Sequence, residues 1–289
     1  MTHGRGEADM SVTALDALSD QQPRRRGLVP QGRRIYESSS LRDPARTRVL
    51  CDLELVIPAL NEEQRIGTTL AAIVSFLSQQ SWRSSVTVVD NGSADRTSEV
   101  VDTLMSDRVA VRLIGCARRG KGAAIRRAVA CASARWVGFC DADLATPVEA
   151  IGAVVPLLEA GHEIVVGARR CNGAAYAIAQ SPIRRAGSYA FRRATSHYVP
   201  TVRDTQCGFK FFQASIAKDL FMRAKIDGFA FDVEVLGLAT KDGTPIVEVP
   251  VTWSDVGGST FQPLRDGIRL LSELRMLHAG LADAEPVRG

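Results

Sequence analysis

Acidic side chains follow apolar runs at three places in this 289-residue sequence. The sharpest case is Asp141-Ala142-Asp143, which comes directly after the run Trp136 to Cys140. Asp90 ends an earlier run, and Asn61-Glu62 follows the first one. Because ligands of open parallel sheets bind beyond the carboxyl ends of the strands, these side chains are expected along one rim. Carboxylates that converge there favour a divalent cation shared with a phosphate ligand.

Several other kinds of site are disfavoured by the sequence. Neither GxGxxG nor GxxxxGK[ST] follows the first apolar run, which argues against dinucleotide-dependent dehydrogenases and P-loop enzymes. The six cysteines form no CxxC or Cys/His pairing, so a zinc site is not expected and the thiols are read as reduced. A net charge of +4 is too small to indicate a nucleic-acid partner.

Alternating strands and helices must position the acidic residues. Short apolar runs predict strands at 53–57, 86–89, 109–114, 136–140 and 164–166. Helical periodicity between them predicts helices at 66–77, 95–105, 121–134 and 148–159. This order specifies an α/β domain with a mostly parallel central sheet covered by helices on both faces. Beyond it we predict helices at 181–198, 215–224 and 263–278 and a strand at 246–251.

The sequence shows neither a run of about 20 apolar residues nor an N-terminal signal peptide. We therefore expect a cytoplasmic protein with at most peripheral contact at the inner face of the membrane. The amphipathic final helix and the basic 181–198 segment are the candidates for that contact, although the helix is better explained by core packing, because amphipathic helices usually face a core.

Eight segments occur in an order that resembles the inverting family-2 glycosyltransferases, in particular their dolichyl- and polyprenyl-phosphate β-glucosyltransferase branch. They are VIPALNEE (56–63), VVDNGSADRT (88–97), RGKGAAIRRA (119–128), FCDADLATP (139–147), VVGARR (165–170), DTQCGFKFF (204–212), FAFDVEVL (229–236) and VPVTW (249–253). The resemblance implies a single GT-A, Rossmann-like domain over 49–278, with a nucleotide-sugar half (49–167) and an acceptor half (168–278). A mobile, disordered basic arm (1–48) and a loose tail (279–289) flank it.

The resemblance also assigns a donor site. It implies that a UDP-sugar and a Mg²⁺ or Mn²⁺ ion are held by Pro58, Asn61, Glu62, Asp90, Lys121, Asp141 and Asp143. Asp90 would accept a hydrogen bond from the uracil ring, and Lys121 would lie near the base and the diphosphate. Asp141 and Asp143 would be the metal ligands, with Asp143 bridging the phosphates through the ion.

On the acceptor side the resemblance places Asp232 as a catalytic carboxylate together with Asp143, and Glu234 is a weaker candidate. If the acceptor is a hydroxyl, Asp232 would take its proton. A phosphate acceptor is already an anion and needs no base, so Asp232 would then position it. Arg169, Arg192, Ser259 and Arg265 are the candidate acceptor-binding residues.

Two positions depart from the pattern of the family, and a third bears on the sugar. This chain has Asn91 where relatives commonly have a second acid, and Arg118 where many have asparagine. Ala145 stands where the mannosyl branch has glutamine, which favours glucose.

Three hypotheses follow. The first is transfer of a hexose, glucose from UDP-glucose, to a polyprenyl phosphate with a divalent metal. The second is a soluble family-2 enzyme that glycosylates a hydroxyl of a small molecule or specialised metabolite with Asp232 as general base. The third is a non-catalytic nucleotide-sugar sensor, against which the presence of Asp141, Asp143 and Asp232 argues.

Overall fold

The computed structural model describes residues 51–104, 109–169, 175–176, 182–254 and 272–281. The predicted arm and the candidate residues Ser259 and Arg265 lie outside these ranges.

The strands are β1 (Leu53–Ala59), β2 (Ser84–Asp90), β3 (Ala110–Gly115), β4 (Trp136–Phe139), β5 (Ile164–Ala168), β6 (Ala175–Tyr176), β7 (Lys210–Gln213), β8 (Ile246–Pro250) and β9 (Thr252–Trp253). The helices are α1 (Ile66–Leu77), α2 (Thr97–Asp102), α3 (Lys121–Cys131), α4 (Ile151–Glu159), α5 (Pro182–Thr195), α6 (Ala214–Arg223), α7 (Phe231–Lys241) and α8 over 272–281. A 3₁₀ turn, Val148–Ala150, leads into α4.

Seven strands form one sheet in the order β3-β2-β1-β4-β7-β5-β8, and β6 pairs with β9 beside it. Every pairing in the seven-stranded sheet is parallel except those of β7, which runs antiparallel to both β4 and β5. Strand β2 pairs with one edge of β1, and β4 pairs with the other edge. The carboxyl ends of β1 and β4 therefore meet where the strand order reverses, which is the usual place for a ligand.

Apolar side chains fill both faces of the sheet. One core packs α1, α2 and α4 against residues such as Leu55, Val86 and Phe211. The other packs α3, α6, α7 and α8 against residues such as Val56 and Phe212. The predicted three-layer α/β architecture is thereby confirmed.

The strands and helices predicted within the described ranges are found with small shifts at their ends. Of the predicted helix 263–278, only 272–278 lies within those ranges, as part of α8. Helix α2 is shorter than the predicted 95–105, since Asp95 accepts the Thr97 N–H and Thr97 O–H and leaves Thr97 as the first helical residue. No helix among the described residues is both long and apolar enough to cross a bilayer.

Gly138 is where β4 and β7 pack most tightly, and it carries a stability prediction. It pairs directly with Phe211, and a Cβ added at Gly138 would lie 2.1 Å from a ring carbon of that residue. We expect Gly138→Ala to lower the free energy of unfolding by about 3 kcal/mol, because the ring has to move within a packed core. Urea unfolding measures this, and Gly152→Ala is the control, since a Cβ there meets no atom within 4 Å. Equal midpoints for the two variants would contradict the packing seen at Gly138.

Candidate active site

The loops that follow β1 and β2 are locked together by side-chain contacts. Asn61 adopts a left-handed backbone conformation (φ 57°), which asparagine tolerates, and its Oδ1 accepts the Ala94 N–H at 2.8 Å. The Glu62 N–H donates to Thr97 Oγ1 at 2.8 Å. Asn61 and Glu62 therefore lie at the rim, as predicted, and Asn61 also holds the second loop in place.

Asp90 ends β2 and is buried at this rim. Its Oδ1 accepts the Ser93 N–H and its Oδ2 accepts the Ser98 hydroxyl, both at 3.0 Å. The predicted contact with a uracil ring would be made with the remaining lone pairs of a carboxylate that is already held in position.

Asn91 explains one departure from the family pattern. Its Oδ1 accepts the Gly120 N–H at 2.7 Å, and its Nδ2 donates to the Arg118 carbonyl at 2.6 Å. A carboxylate at this position would accept the first bond but would have no hydrogen for the second. The amide thus fixes the backbone of the RGKG loop on both sides of Arg119.

The RGKG loop (119–122) is also held by Asp227, which belongs to the predicted acceptor half. Asp227 accepts from Arg118 Nη2 at 2.6 Å and from Arg126 Nη1 at 2.7 Å. Gly120 has φ 134°, and a Cβ there would lie 2.0 Å from the Asp227 carbonyl oxygen. The left-handed backbone and the close approach both require glycine at this position. Asp227 therefore sets the position from which Lys121 extends.

Lys121 and Asp141 meet as an ion pair at the rim, with Nζ bonded to Oδ1. Burial lowers the pKa of Lys121, but the negative charges of Asp141 and Asp232 raise it more, so its pKa lies above its ordinary value. Lys121 is therefore a cation at neutral pH that faces both the predicted donor side and the predicted acceptor side.

Asp143 lies in the turn that follows β4. Thr69 of α1 donates its hydroxyl to the Ala142 carbonyl at 2.6 Å, and Leu144 is left-handed with φ 49°. Asp143 Oδ1 accepts the Ala145 N–H at 3.0 Å. The turn that carries the DxD motif is therefore held by one contact from α1 and by one hydrogen bond within the turn.

Like charges accumulate beside this turn. Burial and then the charge of Asp141 raise the pKa of Asp143. The pKa of Glu62 is also raised, by burial and by the charges of Asp143 and Asp141, although the ion pair with Arg65 lowers it. Among the described residues no group of three or more His, Cys, Asp or Glu side chains is arranged to hold a metal ion by itself. The two aspartates nevertheless fit a Mg²⁺ or Mn²⁺ ion that takes its other ligands from a diphosphate and water.

Asp232 lies in the first turn of α7 and is buried. Its Oδ1 accepts from Lys210 Nζ at 2.6 Å. Burial raises the pKa of Asp232, while the charges of Lys210 and Lys121 oppose that rise. The predicted catalytic carboxylate is thus present on a helix, held by a lysine that was not among the predicted site residues.

Glu234 has a different role from Asp232. Its two carboxylate oxygens accept the Lys225 and Ile226 N–H groups at 2.9 and 2.8 Å. On a helix it does not share the direction of Asp232. Glu273 of α8 makes a similar contact with the Ala230 N–H at 3.0 Å. Both acids hold the segment that leads into α7.

The candidate acceptor residues are dispersed. Arg169 forms a bidentate ion pair with buried Asp204, and its guanidinium lies 5.5 Å from the Trp253 ring centroid. Arg192 is exposed on α5, 5.8 Å from the ring of Tyr189. Pro58, which was predicted for the donor site, lies near the end of β1, beside β2. The acceptor-binding roles of Arg169 and Arg192 stay predictions.

Sequence reasoning did not single out Lys210, Asp204 or Asp227 as site residues. Lys210 left a readable signal, because a lysine between Phe209 and Phe211 in an apolar strand requires a buried partner. Asp204 lies in the same quoted motif. Asp227 left no signal, since its two arginine partners are about 100 residues away in the sequence.

The sheet is doubly wound, and acids and a lysine lie where its strand order reverses. This combination defines an enzyme of the GT-A type, which binds a ligand that contains phosphate. The family model "Glycosyl transferase family 2" matches residues 54–221, and the chain belongs to that family. It is a glycosyltransferase. The matched range is narrower than the predicted domain, 49–278, but the alignments to relatives are longer than this range.

The chain is 32% identical over 241 residues to the dolichyl-phosphate β-glucosyltransferase of Drosophila melanogaster, covering 78% of this chain and 74% of the relative. It is 30% identical over 240 residues to that of Homo sapiens, covering 77% and 73%. The fold is similar to that of glucosyl-3-phosphoglycerate synthase from Mycobacterium tuberculosis, with a TM-score of 0.56 and 20% identity over 80% of this chain and 78% of that one. That structure is a complex with Mn²⁺, UDP and glucosyl-3-phosphoglycerate.

Proposed function

We propose that this enzyme transfers glucose from UDP-glucose to a polyprenyl phosphate, with inversion at the anomeric carbon and with Mg²⁺ or Mn²⁺ bound at Asp143 and Asp141. The observation that carries the proposal is the rim at which Lys121 and the DxD acids meet, in a chain similar over three quarters of its length to dolichyl-phosphate β-glucosyltransferases. Structural neighbours crystallised with UDP and Mn²⁺ or Mg²⁺ support the choice of donor and metal.

The residues of the rim divide the work of donor binding. Asp90 is held in position to accept a hydrogen bond from the uracil base. The loop that Asn91 and Asp227 fix places Lys121 near the diphosphate. Asp143 and Asp141 would hold the ion, which would stabilise the negative charge of the leaving nucleoside diphosphate. The like-charge arrangement at the two aspartates is relieved by a cation, which is why these residues fit one.

On the acceptor side the chemistry requires no base. A phosphate monoester loses its second proton with a pKa of about 6, so it is an anion at neutral pH. Its oxygen attacks the anomeric carbon opposite the leaving diphosphate, which gives inversion. Asp232 then positions the acceptor or the sugar, from a helix start where a carboxylate is favoured by the helix dipole.

The proposal includes a cytoplasmic location with peripheral contact at the inner face of the membrane. It is supported by the exposed surface of α5, where the Tyr189 side chain is accompanied by Arg192 and Arg193. An aromatic ring with adjacent cations suits an anionic lipid surface. Co-sedimentation with vesicles that contain anionic lipid tests the contact, and Tyr189→Ser with Arg193→Ser should weaken it.

Product formation tests the reaction. The purified protein is incubated with UDP-glucose, Mn²⁺ or Mg²⁺, and either a short polyprenyl phosphate or a lipid-free cell extract, and products are identified by mass spectrometry. A hexosylated polyprenyl phosphate is the expected product. A hexosylated soluble compound with the lipid left unchanged would replace this proposal with the second hypothesis.

Asp232→Asn distinguishes the two acceptor classes. If a hydroxyl must be deprotonated, the substitution should lower kcat by about 10²- to 10⁴-fold. With a phosphate acceptor we expect a loss of about tenfold, since only positioning is removed. Steady-state kinetics with the product-forming acceptor measure the difference. A wild-type rate in Asp232→Asn would contradict any role of this carboxylate in the reaction.

A further inference from the structure

We propose that Lys210 is a positioning residue for the transfer reaction, which fixes the Asp232 carboxylate at the acceptor side of the site. The inference rests on the proposed function, because the kinetic test assays transfer of glucose to polyprenyl phosphate. The pairing itself stands on the geometry of β7 and α7.

Lys210 is the first residue of β7 and is 1% exposed. Its Nζ donates to Asp232 Oδ1 at 2.6 Å and to the Cys207 carbonyl oxygen, and it lies 5.6 Å from the centroid of the Phe139 ring. An ammonium that has a carboxylate, a backbone carbonyl and an aromatic face around it is held in one place. The carboxylate that it binds is therefore held in one place as well.

The loop that leads into β7, over 204–209, is itself anchored. The bidentate Arg169–Asp204 ion pair lies at its start, and Glu248 Oε1 accepts the Asp204 N–H at 3.1 Å. Further along the loop, a Cβ added at Gly208 would lie 2.0 Å from Asp141 Oδ2, so the loop backbone also contacts the DxD motif. The loop thus orients carboxylates on both sides of the site.

The charges that face Asp232 come from three elements. Lys210 lies on β7, Lys121 begins α3, and Asp141 follows β4. Together they form a row of alternating sign from the core to the rim: Lys210, Asp232, Lys121 and Asp141. Burial favours a neutral Asp232, and the two lysines oppose it. Without Lys210 the balance shifts toward the protonated acid.

Stability gives little reason for such a pair. Replacing a buried ion pair by neutral side chains of similar size is often harmless or stabilising, whereas removing one partner is costly. One member of the pair, Asp232, is the residue predicted to face the acceptor. A functional requirement for an Asp232 carboxylate that is fixed in position accounts for the presence of the pair.

A double-mutant cycle tests the inference. Lys210→Met, Asp232→Asn and the double variant of the full chain are compared with wild type, and Lys218→Met on α6 is the control for loss of one positive charge. The readouts are kcat and KM with UDP-glucose and polyprenyl phosphate across pH, UDP affinity, thermal unfolding, and the ¹³C carboxyl resonance of Asp232, assigned by its absence in Asp232→Asn.

We expect Lys210→Met to lower kcat about tenfold, to match Asp232→Asn, and to leave UDP affinity within about twofold. The acidic limb of its pH profile should move to higher pH, because Asp232 loses the charge that kept its pKa down. The double variant should unfold at a higher temperature than Lys210→Met but turn over no faster than Asp232→Asn.

Two results would overturn the inference. One is a folded Lys210→Met with wild-type kcat and an unmoved pH profile. The other is a double variant that regains the wild-type rate, since Lys210 would then serve stability alone. If wild type transfers no glucose to this acceptor, the proposed function fails, and the carboxyl resonance decides the inference instead: it should titrate at higher pH in Lys210→Met, and an unchanged titration would refute it.

Discussion

Asp143→Asn should lower the rate of glucose transfer by about 10³-fold. The substitution replaces a carboxylate that faces the other acid of the DxD motif with a neutral amide of the same shape. An amide is a weak ligand for Mg²⁺ or Mn²⁺, so the charge that develops on the leaving diphosphate is no longer compensated. Initial rates measured over a range of Mn²⁺ concentrations report the effect, which excess metal should restore only in part.

The same substitution should not harm the fold. In the ligand-free protein the neighbouring charge of Asp141 opposes ionisation of Asp143. Removing one of two like charges relieves that repulsion, so the thermal midpoint of Asp143→Asn should equal or exceed that of wild type. Asp102→Asn, at the exposed end of α2, removes the same charge away from the rim and should leave the rate unchanged. Full turnover in Asp143→Asn would contradict the metal role of this residue.

Lys121→Met should weaken UDP binding by about 10²-fold and lower kcat/KM by at least that factor. Lys121 follows Gly120, whose N–H is held by Asn91, and it remains a cation because the charges of Asp141 and Asp232 outweigh its burial. The Lys121 ammonium lies near three acids, which are Asp141, Asp143 and Asp232. Its removal takes away the attraction for a diphosphate and leaves the repulsion between the diphosphate and these acids uncompensated. Calorimetric titration with UDP and Mn²⁺ measures the affinity.

Lys121→Met should also lower the thermal midpoint, since Asp141 and Asp232 would lose the cation that they share. Arg127→Met on the exposed side of α3 is the matched control, since it removes a positive charge from the same helix. Unchanged UDP affinity in Lys121→Met would show that the ammonium serves the two aspartates and not the donor.

The donor half could be predicted well because its signals are local. Apolar runs that end in Asn61, Asp90 and Asp141 identify strand ends, and parallel pairing brings such ends together. The turn at Leu144 and the interlocking of Asn61 with the next loop were not predictable, because they depend on contacts between loops about 30 or more residues apart.

The acceptor half was harder to predict for a physical reason. The direction of β7 is set by the strands on either side of it and not by its four residues. The pairing of Lys210 with Asp232 joins a strand to a helix, so neither periodicity nor spacing reveals it. Glu234 shows the converse limit: from the sequence it resembled a second catalytic acid, and the fold uses it to satisfy two backbone N–H groups.

The reversed strand β7 has a consequence for how such an enzyme changes its acceptor. Because β7 runs opposite to β4 and β5, the chain enters it from the rim and not from the far end of the sheet. The connection from β5 to β7 is therefore an excursion that begins and ends at the rim. Lengthening or replacing that excursion shifts no strand of the nucleotide half out of register. The architecture thus allows the predicted acceptor side to vary while the predicted donor side keeps its geometry.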